Sequence, residues 1–74
     1  IIPKVHIEST RDLNDENIHY LLEMAEMANK IAKTEGISES GYRWVINTGD
    51  DGGQTVHHLH LHLLGGRQLQ WPPG

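Results

Sequence analysis

The sequence predicts an α+β fold, an antiparallel sheet packed by one main helix, and three patterns point to it. Residues 14–36 carry apolar side chains at helical spacing, and residues 42–47 and 56–64 alternate in the two-residue rhythm of strands. Between the two alternating stretches lies Thr48-Gly49-Asp50-Asp51-Gly52-Gly53, a run of turn residues. The second stretch contains His58-Leu59-His60-Leu61-His62. Successive strand side chains point to opposite faces, so the three imidazoles share one face while Leu59, Leu61 and Leu63 share the other. A chemical surface is thereby backed by a core surface.

The elements follow in the order β-α-β-β. Ile1 to Ile7 reads as a short strand, confined to an edge, a strand end or a bulge because Pro3 cannot donate to a ladder. Glu8 to Asp12 leads out of it. Asn14 or Asp15 is positioned to cap a helix whose apolar residues Ile18, Leu21, Leu22, Ala25, Ala28 and Ala32 recur at helical spacing, with Met24, Met27 and Ile31 widening the stripe. Gly36 is its expected stop. Tyr42, Trp44 and Ile46 are expected on one face of the next strand, and Arg43, Val45 and Asn47 on the other. Val56 to Leu64 should return as its hairpin partner. His57 is out of phase with the histidine row and is expected on the leucine side. Trp71-Pro72-Pro73-Gly74 closes the chain as an extended tail.

Seventy-four residues make one domain at most, and three strands with one helix leave a thin core. The broad apolar helix therefore predicts a homodimer through helix and sheet, the sheet running across two subunits. A net charge of −4 argues against broad electrostatic binding to nucleic acid or to an anionic membrane. No apolar run approaches a membrane span, so no membrane partner is expected. The chain has no cysteine, which excludes a disulfide framework and fits a reducing, cytoplasmic setting.

Imidazole is the side chain whose ordinary titration falls between pH 5 and 8, so neighbouring histidines can take different roles. Zinc is one option. Residues two apart in a strand lie ~6.6 Å apart along it, so two adjacent histidines of the row can converge on one ion, but His58 and His62 are ~13 Å apart. With no cysteine and no carboxylate after Asp51, a further ligand is missing, and neither metal nor cofactor is expected. Phosphorus chemistry fits better. It needs a nucleophile, donors to the non-bridging oxygens and a proton for the leaving group, and imidazoles with backbone amides can supply all of these. His60, flanked on both sides, is best placed as nucleophile, with its second ring nitrogen pinned by His58 or by a backbone carbonyl. His62 is placed to hold a phosphate oxygen or pass a proton. Gly52-Gly53-Gln54-Thr55 precedes the row and can turn backbone N–H groups toward an anion. Thr55 and Asn47 are candidate donors to the phosphate or leaving group. His6, His19 and His57 read as ordinary half-exposed histidines.

The run His58 to Leu64 resembles the alternating signature of the histidine triad (HIT) superfamily. Gly52-Gly53-Gln54-Thr55, Leu64-Gly65-Gly66-Arg67 and Trp71-Pro72-Pro73-Gly74 are similar to its Hint branch, the histidine triad nucleotide-binding proteins. Ile2-Pro3-Lys4 with His6, and Gly41-Tyr42-Arg43 with Val45 and Asn47, continue the likeness across essentially the whole chain. The resemblance implies a purine nucleoside phosphoramidase, a homodimeric hydrolase that cleaves the P–N bond of adenosine 5′-phosphoramidates, and also aminoacyl-adenylates, through a nucleotidyl-histidine. Carried over by motif, His60 is the nucleophile, His62 contacts phosphate and His58 supports His60. Asn47, Gly53, Gln54 and Thr55 fall at phosphate and leaving-group contacts, and Trp71 approaches the leaving group across the dimer interface. Thr55 replaces a common Ser and His57 a common Tyr. The resemblance also implies that residues 1–74 are the C-terminal portion of the family domain, without the N-terminal part that supplies the purine pocket. Alternatives are a nucleotide-binding or dimeric interaction module with little turnover, another nucleotide hydrolase of the superfamily, and a zinc hydrolase.

Overall fold

The computed structural model describes residues 1–74. Helix α1 spans Ile18–Thr34, and strands β1 (Tyr42–Val45) and β2 (His62–Gly65) pair antiparallel. The register sets Tyr42 opposite Gly65, Arg43 opposite Leu64, Trp44 opposite Leu63 and Val45 opposite His62. The class is α+β, as the periodicities predict.

The start of α1 is built by asparagines. Asn14 Oδ1 accepts from the N–H groups of Glu16 and Asn17 at 2.9 and 3.1 Å, while Asn17 Oδ1 accepts from Asn14 N–H at 2.7 Å. Ile18 N–H reaches Asn14 C=O at 2.9 Å, so Asn14 closes a hydrogen-bonded turn ahead of the helix, whose N-cap is Asn17 and not the predicted Asn14 or Asp15. At the other end Gly36 adopts φ +75°, and the N–H groups of Gly36 and Ile37 return to Lys33 and Ala32 C=O. That paired closure needs the left-handed conformation that glycine adopts without steric cost. Met24, Ala28 and Ala32 are the buried positions of α1, one turn apart, and Met24 and Ala28 pack in the core with Ile7, Leu59 and Leu61. Ile18 and Leu22, expected inside the stripe, are exposed within this chain.

The first seven residues do not form the predicted strand. Ile1 and Leu61 exchange both backbone hydrogen bonds, at 2.8 and 3.0 Å, and Leu59 N–H reaches Ile7 C=O at 2.6 Å. On one side the chain advances from Ile1 to Ile7 while on the other it moves only from Leu61 to Leu59, so the intervening residues, including the non-donating Pro3, bulge out of the ladder. The third strand is likewise shorter than predicted, because Leu59 and Leu61 bond to this irregular segment and not to β1. Leu59 and Leu61 nevertheless point inward. With Ile7, Met24 and Ala28 they form the core, against which Ile1, Leu13, Tyr20, Ile46 and Leu63 pack. The two-residue alternation survives without a continuous ladder. In β1 it is Trp44 that faces solvent, while Val45 and the following Ile46 are half-buried. His57, expected in phase with the leucines, is exposed.

Between Ile7 and α1, Ser9 caps a 3-10 turn over Thr10–Asp12: its Oγ accepts from Arg11 N–H at 3.2 Å, and Asp12 Oδ2 accepts from Ser9 N–H at 3.2 Å. This turn is tied to the loop before the histidines by the Thr10 and Thr48 hydroxyls, 2.5 Å apart.

Candidate active site

The histidine row begins where Leu59 and Leu61 are drawn into the core, which forces His58, His60 and His62 to the opposite side. His58 and His60 are half-buried and His62, at the start of β2, is exposed. The rings of His60 and His62 meet edge to face, centroids 4.9 Å apart. His60 Nδ1 lies 2.6 Å from the backbone carbonyl of His58. A carbonyl only accepts, so this bond places the hydrogen on Nδ1 and leaves the lone pair of a neutral imidazole on Nε2. Of the two pinning groups that the sequence left open, it is the carbonyl of His58 that holds His60.

The His58 ring turns elsewhere. Its Nδ1 faces His6 Nδ1 at 3.4 Å, the rings meeting edge to face with centroids 5.2 Å apart, and its Nε2 is buried without a hydrogen-bond partner. His6 was expected to be an ordinary surface histidine. Alternation could have found it: Ile7 lies in the core, so its neighbour faces the triad side. No group of three His, Cys, Asp or Glu side chains is arranged to hold a metal ion.

Asn47 and His62 line one groove of about 850 Å³, together with Ile1, Val45, Leu61 and the end of α1. Gly53 adopts φ +83° in the loop before the row, its N–H donating to Asp50 C=O at 2.9 Å. A Cβ on Gly52 would lie 2.9 Å from the Thr48 backbone nitrogen, so that position admits no side chain without displacing the loop. Thr55 is exposed and Gln54 is buried. Trp71 is 80% exposed at the end of the chain.

Residues 1–69 match the family described as the HIT domain. The chain belongs to the HIT domain family. Its relatives include an uncharacterised HIT-like protein of Synechococcus elongatus, 51% identical over 74 residues, and the purine nucleoside phosphoramidase of Escherichia coli, 49% identical over 69 residues. The matches cover 100% and 93% of this chain but 64% and 58% of those proteins, so the chain spans about three-fifths of their length. Among solved structures, a HIT family hydrolase from Legionella pneumophila superposes with a TM-score of 0.95 at 53% identity, over 99% of this chain and 65% of that one. A HIT family hydrolase from Clostridium thermocellum gives 0.90 at 46% identity, over 93% and 60%. No helix in this chain is long and apolar enough to cross a membrane.

Proposed function

We propose that the protein is a purine nucleoside phosphoramidase that hydrolyses the P–N bond of adenosine 5′-phosphoramidates, and aminoacyl-adenylates as secondary substrates, in the cytoplasm. The observation that carries this reading is the 2.6 Å contact of His60 Nδ1 with His58 C=O, which leaves Nε2 as a directed nucleophile. The Escherichia coli relative, 49% identical, supports the substrate class.

In the first step His60 Nε2 forms a bond to phosphorus as the P–N bond to the amine breaks. The amine leaves with a proton taken up from solvent water, and the Nδ1–H of the resulting cationic ring stays on the His58 carbonyl. In the second step water attacks phosphorus and gives its proton back to solvent, the P–Nε2 bond breaks, and AMP departs while His60 returns to its starting tautomer. His62, edge to face with His60, holds a non-bridging oxygen. Asn47 and Thr55 contact phosphate and leaving group, and Gly53 holds the left-handed turn of the loop before the histidine row. No metal or cofactor enters these steps.

The site is completed in a homodimer, where Trp71 of one subunit approaches the leaving group of the other. Two features support this: Ile18 and Leu22 are 47% and 61% exposed on α1, and the two-stranded sheet leaves the outer edge of β1 unpaired. The reading is tested by following amine release from adenosine 5′-phosphoramidate by the full-length protein and its His60→Ala variant. Turnover lost with His60 supports it. Equal turnover by both proteins, or AMP binding with no turnover by either, rejects the enzyme in favour of a nucleotide-binding module.

A further inference from the structure

Gln54 lies in the loop that leads into the histidines, at a position where family likeness suggests a phosphate contact. Its side chain is only 7% exposed, and its polar atoms are bonded within the chain. Nε2 donates to Glu8 C=O at 2.7 Å and to Val56 C=O at 3.0 Å, and Oε1 accepts from Gly49 N–H at 3.0 Å. A primary amide has two N–H donors, and both are in use. To touch a phosphate through its amide N–H groups, Gln54 would have to release the carbonyl of Glu8 or of Val56.

The three partners come from separate stretches of backbone. Glu8 follows Ile7, whose carbonyl receives Leu59 N–H at 2.6 Å. Val56 stands two residues before His58. Gly49 begins the loop and also accepts from the backbone N–H of Gln54 at 3.0 Å. One buried amide thus fixes where the chain enters the histidine row, and the peptide it delivers is that of His58, whose carbonyl holds His60 Nδ1 at 2.6 Å.

We infer that Gln54 is a positioning residue: by joining residues 8, 49 and 56 it sets the His58 carbonyl that fixes the His60 tautomer, and it makes no contact with the substrate. The catalytic consequence rests on the phosphoramidase reading, whereas the tautomer does not. Q54E keeps the shape and an acceptor for Gly49 but removes both donors.

The test uses the full-length protein with 15N-labelled imidazoles and side-chain amides. In Q54E the His60 ring should lose its preference for hydrogen on Nδ1, and kcat should fall roughly 10- to 100-fold, the scale of a misplaced catalytic group, with KM little changed. In the wild type, titration with AMP should move the ring signals of His60 and His62 and leave the Gln54 side-chain amide signals in place. Direct contact predicts the reverse: a raised KM with kcat kept, Gln54 signals that follow AMP, and an unaltered His60 tautomer. Any of these overturns the inference. Should Q54E fail to fold, the wild-type titration decides. Should the wild type neither bind AMP nor turn over, the phosphoramidase reading fails, and the tautomer in Q54E judges Gln54 alone.

Discussion

Leu59 joins the core to the chemistry, since it lies between His58 and His60 and is 1% exposed. Leu59→Ala removes three carbons from a site enclosed by Ile7, Met24, Ala28 and Leu61. At about 0.8 kcal/mol per buried carbon the lost transfer free energy is about 2.4 kcal/mol. The space left between a helix and two short, irregularly paired segments adds to this, giving about 3–4 kcal/mol. For one small domain that is a large share of a total stability of roughly 5–15 kcal/mol. Leu64 is the internal comparison. It is 38% exposed, so Leu64→Ala removes less buried surface, leaves no enclosed cavity and should cost about 1.5 kcal/mol or less. Urea unfolding of both variants at one fixed protein concentration measures the difference, the concentration being held because association shifts apparent stability. Equal losses for the two leucines would refute the assignment of Leu59 to the core and, with it, the reason the histidines face outward.

Three further outcomes follow from single contacts. Gly36→Ala should lower stability by about 1 kcal/mol and the melting temperature by about 4–8 °C, because φ +75° disfavours a Cβ although nothing lies within 4 Å of it; an unchanged melting temperature would contradict the left-handed helix end. Thr48→Val removes the part-buried hydroxyl pair with Thr10 and should cost about 1 kcal/mol in the same urea assay, an effect that Thr10→Val should not add to if the two act only through each other. Leu22→Glu places a charge on the exposed flank of α1, so sedimentation should show a dimer converted to monomer, whereas a monomeric parent would remove the proposed interface.

Much of the site was legible because it rests on alternation and local turn chemistry. Leu59 and Leu61 bury and the histidines face away as the two-residue period requires, and Gly36 ends α1 where a left-handed residue is needed. The extent of the strands was not legible. Whether residues 1–7 form a ladder depends on how the chain crosses between Ile1 and Ile7, and nothing local in Ile-Ile-Pro-Lys-Val-His-Ile encodes a bulge of that size. The hydrogen-bonding role of Gln54 was hidden for a related reason: its partners, Glu8 and Gly49, meet only when the Ser9-capped turn docks on the loop. His6 was legible and was missed, because its significance comes from the phase of Ile7 and not from its own residue type.

The central claim is that His60 Nε2 becomes bonded to phosphorus during turnover, and rapid quenching of the protein with an adenosine phosphoramidate, followed by peptide mass spectrometry, tests it most directly. The expected result is an adenylyl group on the peptide containing His58 to His62, with fragmentation placing it on His60, and no adduct in His60→Ala. An adduct on His62 or His58, or efficient turnover with no adduct at any quench time, would contradict it.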